Sequence, residues 1–226
     1  DKGIWTAKKR YILNAWDIEG VKYKEPQLKI MGIEAVKSST PAPCRQKIKD
    51  ALQIIMSGDE KMLNSFIKGF RDDFMKLNPE DIAYPRSVNG VSKYTDNSSG
   101  HDVSINLLDM KQEIVQYNLF KKRAPIHVKG AILYNHLVEK HKMNNKLVYI
   151  QEGDKIKFLH LKSPNIYQCS SISFMTKLPK ELTLHNSIDY DTQFEKSFIE
   201  PLNFILQKIN WLVDRSYGTQ GSLEDF

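Results

Sequence analysis

Asp72-Asp73 and the Asp189/Asp191 pair are the carboxylates that could hold metal ions for phosphoryl transfer. That chemistry clamps attacking and leaving oxygens between two cations about 4 Å apart. Both pairs fall on predicted helices, where residues one or two apart point in different directions, so they read as solvated surface. His127, His136, His141 and His160 occur singly, and His136 and His141 are poorly spaced to share one metal. No Gly-rich phosphate loop, His-Glu zinc motif or serine nucleophile elbow is present. No catalytic residue and no metal ligand is therefore assigned, and catalysis by this chain alone is not expected.

Cations are the more informative group. Lys8-Lys9-Arg10-Tyr11 lies within the alternating run Ile4 to Leu13, whose aromatic and β-branched residues favour a strand. Period-two alternation sends Lys8 and Arg10 to one face and Lys9 and Tyr11 to the other, so a sheet would present cations to a polyanion. A solvated edge strand that uses lysine against edge-to-edge pairing is the plainer reading of the tetrad alone. Further basic clusters stand at Lys121 to Arg123, Lys140 to Lys146 and Lys155 to Lys162, while the tail carries Glu224 and Asp225. The net charge of +6 and pI near 9.1 suit a nucleic-acid partner.

These groups need a scaffold, and 226 residues suffice for one good core or two small ones. Hydrophobic content of 41% with 27% charged residues is that of a globular chain and excludes a disordered one. No apolar stretch approaches the roughly 20 residues of a membrane span, no secretory signal is seen, and cytoplasm is the default expectation. Cys44 and Cys169 are too few for a disulfide framework or zinc site and read as packing residues.

The opening region predicts a strand from Trp5 to Trp16, a turn at Asp17-Ile18-Glu19-Gly20, a strand from Val21 to Lys24 and an extended piece from Leu28 to Ile33. A helix follows, with Ser39 or Thr40 as its cap and Pro41 in its first turn. Its apolar stripe is Ile48, Ala51, Leu52, Ile55 and Met56, and Ser57-Gly58 closes it. A second helix, about Asp59 to Leu77, aligns Leu63, Phe66, Ile67, Phe70, Phe74 and Leu77 and should pack against the first as an antiparallel hairpin. Loops with one short strand are expected from Asn78 to Ser104. Beyond them come a helix from about Pro125 to Lys142, extended pieces at Leu147 to Gln151 and Ile156 to Leu161, and a final helix from roughly Ser187 to Ile209. There is no internal repeat and no low-complexity segment.

Two stretches extend the tetrad into a pattern: Glu25-Pro26-Gln27-Leu28-Lys29-Ile30-Met31-Gly32-Ile33-Glu34, then Ser38-Ser39-Thr40-Pro41. Ala15 to Gly20, Pro125 to Tyr134 and Ser197 to Leu202 continue it. In this order and at these separations they resemble the C-terminal part of a family B DNA polymerase of the T-even-like phage type. The resemblance implies an α+β chain: a small antiparallel palm-sheet fragment (1–37), a mostly helical thumb with a few short strands (38–212) and a tail (213–226). It implies that Lys8 and Lys9 reach the minor-groove edge of new base pairs, where every correct pair offers acceptors, supported by Arg10 and Tyr11. Phosphate contacts follow for Ser38, Ser39, Thr40, Lys93, Tyr94, His127 and Lys129, with lysine at 129 where the family has arginine, so that a bidentate grip becomes a point-charge contact.

Gln220, Leu223 and Phe226 resemble a sliding-clamp peptide, although the second aromatic of the fuller pattern is missing. The family's metal-binding carboxylates lie in motifs upstream of the tetrad and absent here, so the magnesium ions would belong to the full-length enzyme in a phage-infected bacterial cell. Its upstream palm, fingers and any exonuclease domain would be partners alongside primer-template DNA and the clamp. A standalone basic nucleic-acid-binding or scaffold module is the alternative. A nuclease built on Asp72, Asp73 or Asp189 is a third reading.

Overall fold

A computed structural model of the chain describes residues 2–96, 119–165 and 167–215. In chain order its elements are β1 (Lys2–Ala7), β2 (Arg10–Ile18), β3 (Val21–Met31), α1 (Ala42–Ser57), α2 (Glu60–Phe74), α3 (Pro79–Ile82) and β4 (Tyr84–Ser87). They continue with α4 (Val91–Tyr94), α5 (Ile126–Lys140), β5 (Lys155–His160), β6 (Ser171–Phe174), α6 (Tyr190–Phe194), a π-helical turn (Glu195–Ile199) and α7 (Glu200–Leu206). The chain is α+β, with two antiparallel sheets of order β1-β2-β3 and β4-β5-β6. The described residues fall into two compact units, one within 1–77 and 194–226, the other within 78–193.

In the first unit, Ile4, Ile12 and Ile30 pair across the three strands, with Ile4 and Ile12 buried. The neighbouring row, Trp5, Tyr11 and Met31, lies on the opposite face, where Trp5 is 59% and Met31 41% exposed. Both predicted helical stripes are seen, with Ile48, Ala51, Leu52, Ile55 and Met56 of α1 buried alongside Leu63, Ile67, Phe70 and Phe74 of α2. Asp59 caps α2 by accepting from the Met62 amide at 2.8 Å. Phe70, Phe74, Phe194 and Phe198 interlock, with ring centroids 4.8 to 5.8 Å apart.

Several expectations need correction. The tetrad does not continue one strand: Lys8-Lys9 is the two-residue connection of a β1–β2 hairpin, flanked by the Ala7–Arg10 pair. The Asp17 to Gly20 hairpin is present, and its central residues Glu19 (φ 58°) and Gly20 (φ 86°) both lie in the left-handed region, the geometry that matches strand twist. Helix α1 takes Pro41 as its N-cap with no side-chain cap bond. Position 43, also proline, has no amide for the Ser39 or Thr40 hydroxyl to cap. Residues 147–151 form no strand, whereas β6 was not anticipated. The final helical run, 190–206, carries a π turn just before Pro201, whose missing amide interrupts the i→i−4 ladder.

In the second unit α5 lies directly on β6. A Cβ at Gly130 would sit 2.7 Å from Ser173 Oγ and 2.8 Å from its amide nitrogen, so only glycine permits this approach. Ser173 Oγ and Ser171 Oγ donate to the His127 and Ile126 carbonyls, each at 2.7 Å. The first turn of α5 is thereby fixed to the sheet. Buried Gln193 accepts from the His160 amide and donates to the Ile82 carbonyl.

Candidate nucleic-acid interface

At the β1–β2 hairpin tip, Lys9 adopts φ 61°, a conformation disfavoured for any residue with a Cβ. The pairing register shifts between Trp5 and Ala7 immediately beside it. Lys8 and Lys9 are exposed, and neither ammonium has a hydrogen-bond or ion-pair partner among the described residues. Underneath, Gly32 (φ 68°) approaches so closely that a Cβ there would fall 2.3 Å from the Lys9 carbonyl oxygen.

The other half of the tetrad is engaged within the unit. Arg10 pairs with Glu34 at 2.6 Å, and its guanidinium lies 5.3 Å from the centre of the Phe204 ring. Tyr11 stands 6.2 Å from Trp5, ring to ring, in the exposed cross-strand row. Lys37 gives Glu34 a second cation at 2.9 Å. Partial burial would push the Glu34 carboxyl up, but the Lys37 hydrogen bond, its own backbone amide and the Arg10 and Lys37 charges together hold it below the usual carboxylate range. Ser38 is exposed, Ser39 is half-buried and Thr40 is buried, in the turn leading to α1.

A second cluster of cations forms in the other unit. Lys93 and Tyr94 close α4, where Lys93 Nζ sits 5.2 Å over the Tyr94 ring. Glu152 secures the start of that helix by accepting from the Gly90 amide at 2.6 Å and the Ser92 amide at 3.0 Å, and these backbone bonds hold its carboxyl below its ordinary value. Lys121 Nζ donates to the Lys93 carbonyl at 2.8 Å, and Lys129 Nζ lies 5.1 Å over Phe120, which bridges to Thr95. Lys93, Lys121 and Lys129 thus share one neighbourhood. Sequence reasoning named the first and third as site residues and saw the run Lys121 to Arg123. It had no signal for Glu152 or for the Phe120 platform.

His127 sits in the first turn of α5, its ring 6.2 Å from Phe158. Burial, then the nearby Arg86 charge, keeps its imidazole below the ordinary value, so it is neutral at pH 7 and can contribute hydrogen bonding but no charge. The folded form resists protonation. The sign is therefore that stability is fully present above the ordinary histidine value of about 6.5 and declines as pH falls through the lower folded one.

The carboxylates have structural surroundings. Asp189 accepts from the Thr192 amide and hydroxyl at 2.9 and 2.7 Å, and Asp72 and Asp73 are exposed on α2. Among the described residues no three His, Cys, Asp or Glu side chains converge as a metal site. No helix among them is long and apolar enough to cross a membrane. Cys44 is buried against Ser197 at 3.3 Å, and burial pushes its thiol up to about 11, opposed by the Ser197 hydrogen bond. Gln220, Leu223 and Phe226 lie outside the described residues.

No family model matches the chain. It is 30% identical over 204 residues to the DNA-directed DNA polymerase of Enterobacteria phage T4, and 34% identical over 205 residues to that of Escherichia phage RB69. Each alignment takes in 88% of this chain and 20% of the relative, so the chain spans about a fifth of the length of the curated relatives it matches. The resemblance drawn from the tetrad and the motifs after it is thereby borne out: the chain is similar, over most of its length, to a portion of the DNA-directed DNA polymerases of T-even-like phages.

Proposed function

We propose that this chain is the palm-tail (1–37) and thumb (38–212) portion of a family B DNA-directed DNA polymerase, and that it binds primer-template duplex. The observation that carries the reading is the similarity to the two phage polymerases, joined to a hairpin tip whose two lysines are exposed and uncommitted. Lys8 and Lys9 donate to the minor-groove acceptors, purine N3 and pyrimidine O2, which every correct pair presents alike. Such contacts sense pair geometry without reading sequence. Arg10 and Tyr11 support the tip from within the unit.

Lys93, Tyr94 and Lys129 track phosphates, with His127 donating a neutral hydrogen bond and Ser38 to Thr40 supplying hydroxyls and the amides before α1. The full-length enzyme would add nucleotides with two magnesium ions held by carboxylates outside this chain, leaving the chain alone inactive. The tail, through Gln220, Leu223 and Phe226, would tether the polymerase to a sliding clamp by raising effective concentration. A standalone module would be expected to cover both faces of its sheet, and the exposed row containing Trp5 and Met31 argues against that.

Duplex affinity measured against salt tests the reading. Each neutralised phosphate adds about −0.9 to the log–log slope. Lys129→Ala is expected to reduce the slope by about 0.9, while His127→Gln, at pH 7.5, leaves it unchanged. An affinity indifferent to salt would remove the phosphate-tracking thumb.

A further inference from the structure

We infer that Glu34 is a positioning residue for the Lys8-Lys9 tip, acting through Arg10. The inference rests on the minor-groove reading proposed above. The tip is not self-sufficient: Lys9 is held at φ 61° by a lysine-lysine connection that carries no turn-forming residue. What fixes it comes from three consecutive residues at the end of β3. Gly32 closes under the Lys9 carbonyl, and Glu34, two residues on, takes the Arg10 guanidinium at 2.6 Å. One tripeptide therefore grips both the second residue of the turn and the residue that follows it.

The Arg10–Glu34 pair is well sheltered, with side chains 22% and 21% exposed, so solvent screens it less than a surface pair. Phe204 confines the guanidinium from the α7 side, and Thr6 Oγ1 bonds the Arg10 carbonyl at 3.1 Å. Arg10 has few other places to go. A carboxylate near DNA-facing lysines is electrostatically unfavourable for binding a polyanion, which separates two roles. If Glu34 matters only through charge, its removal tightens duplex binding and nothing else changes. If it positions the tip, its removal abolishes the lysine–base contacts while phosphate-driven affinity persists.

The discriminating probe is a short duplex in which 3-deazaadenine replaces adenine, deleting the minor-groove N3 acceptor but keeping the base pair. Wild-type chain is expected to bind the substituted duplex about fivefold more weakly than the parent duplex. In Glu34→Gln that difference falls to within about twofold, with affinity for the parent duplex not reduced. Glu34→Asp keeps the charge and recovers part of the difference. Lys37→Ala, which removes only the second partner of Glu34, retains it in full. Should Glu34→Gln fail to fold, as judged by its melting transition, Arg10→Lys serves instead and loses the difference in the same way. No difference in wild type would defeat the minor-groove reading itself. A difference in wild type that survives in Glu34→Gln, or in Arg10→Lys where that variant is used, defeats the positioning role and leaves that reading standing.

Discussion

Replacing Lys8 and Lys9 together by alanine in the intact polymerase is expected to lower primer extension about a hundredfold. Two charge-assisted hydrogen bonds at about 1.5 kcal/mol each amount to about 3 kcal/mol, which is two decades in rate. Loss of positive charge alone does not account for an effect of that size. The matched control is Lys22→Ala with Lys24→Ala, two exposed lysines of β3 near the opposite end of the same sheet. That pair removes the same charge and should change extension by less than about threefold. Equal losses in the two double variants would show that the hairpin tip acts only as part of a general field.

Gly32→Ala carries the largest expected effect on stability. The residue sits at φ 68°, and the added Cβ would meet the Lys9 carbonyl oxygen at 2.3 Å, a backbone atom that cannot rotate away. Left-handed strain of about 1 kcal/mol joins a clash that must displace the tip, for a total of about 2–3 kcal/mol. Gly20→Ala isolates the first contribution, because Gly20 has φ 86° but nothing within 4 Å of its virtual Cβ. Denaturant titration should therefore rank Gly32→Ala well below Gly20→Ala, and Gly32→Ala should also lose duplex recognition. Similar midpoints for the two variants would mean that the tip is not packed against Gly32.

What the residues disclosed in advance was whatever repeats with a regular period. The α1 and α2 stripes were legible because burial every third or fourth position has few alternative explanations, and the Glu19-Gly20 turn was marked by its glycine. The Lys8-Lys9 turn was not, since lysine has no preference for φ near 60° and the conformation is imposed by strand pairing and by Gly32 from elsewhere in the chain. A continuous β-favouring run from Ile4 to Leu13 concealed the break. β6, four residues all buried, offers no alternation to detect. The π turn before Pro201 left the stripe of Phe194, Phe198 and Leu202 readable because those residues remain buried on the same side.

The candidate site was legible as a set of cations and opaque as an arrangement. Lys8 and Lys9 were found by type. The separation of Arg10 from them followed only from Glu34 and Phe204, the latter far away in sequence. In the second cluster, Lys93 and Lys129 were named singly, and what joins them is Phe120, Lys121 and the Glu152 carboxylate cap, contacts between segments with no shared pattern. Side-chain chemistry can be read from a sequence, whereas the partner that restrains each group is a property of the fold.

The most direct test of the central claim is a structure of this chain bound to a primer-template duplex. The account predicts Lys8 and Lys9 Nζ within about 3 Å of purine N3 or pyrimidine O2 in the minor groove, with Arg10 still paired to Glu34. A duplex seated with both lysines on phosphates, or away from the hairpin tip, would contradict it.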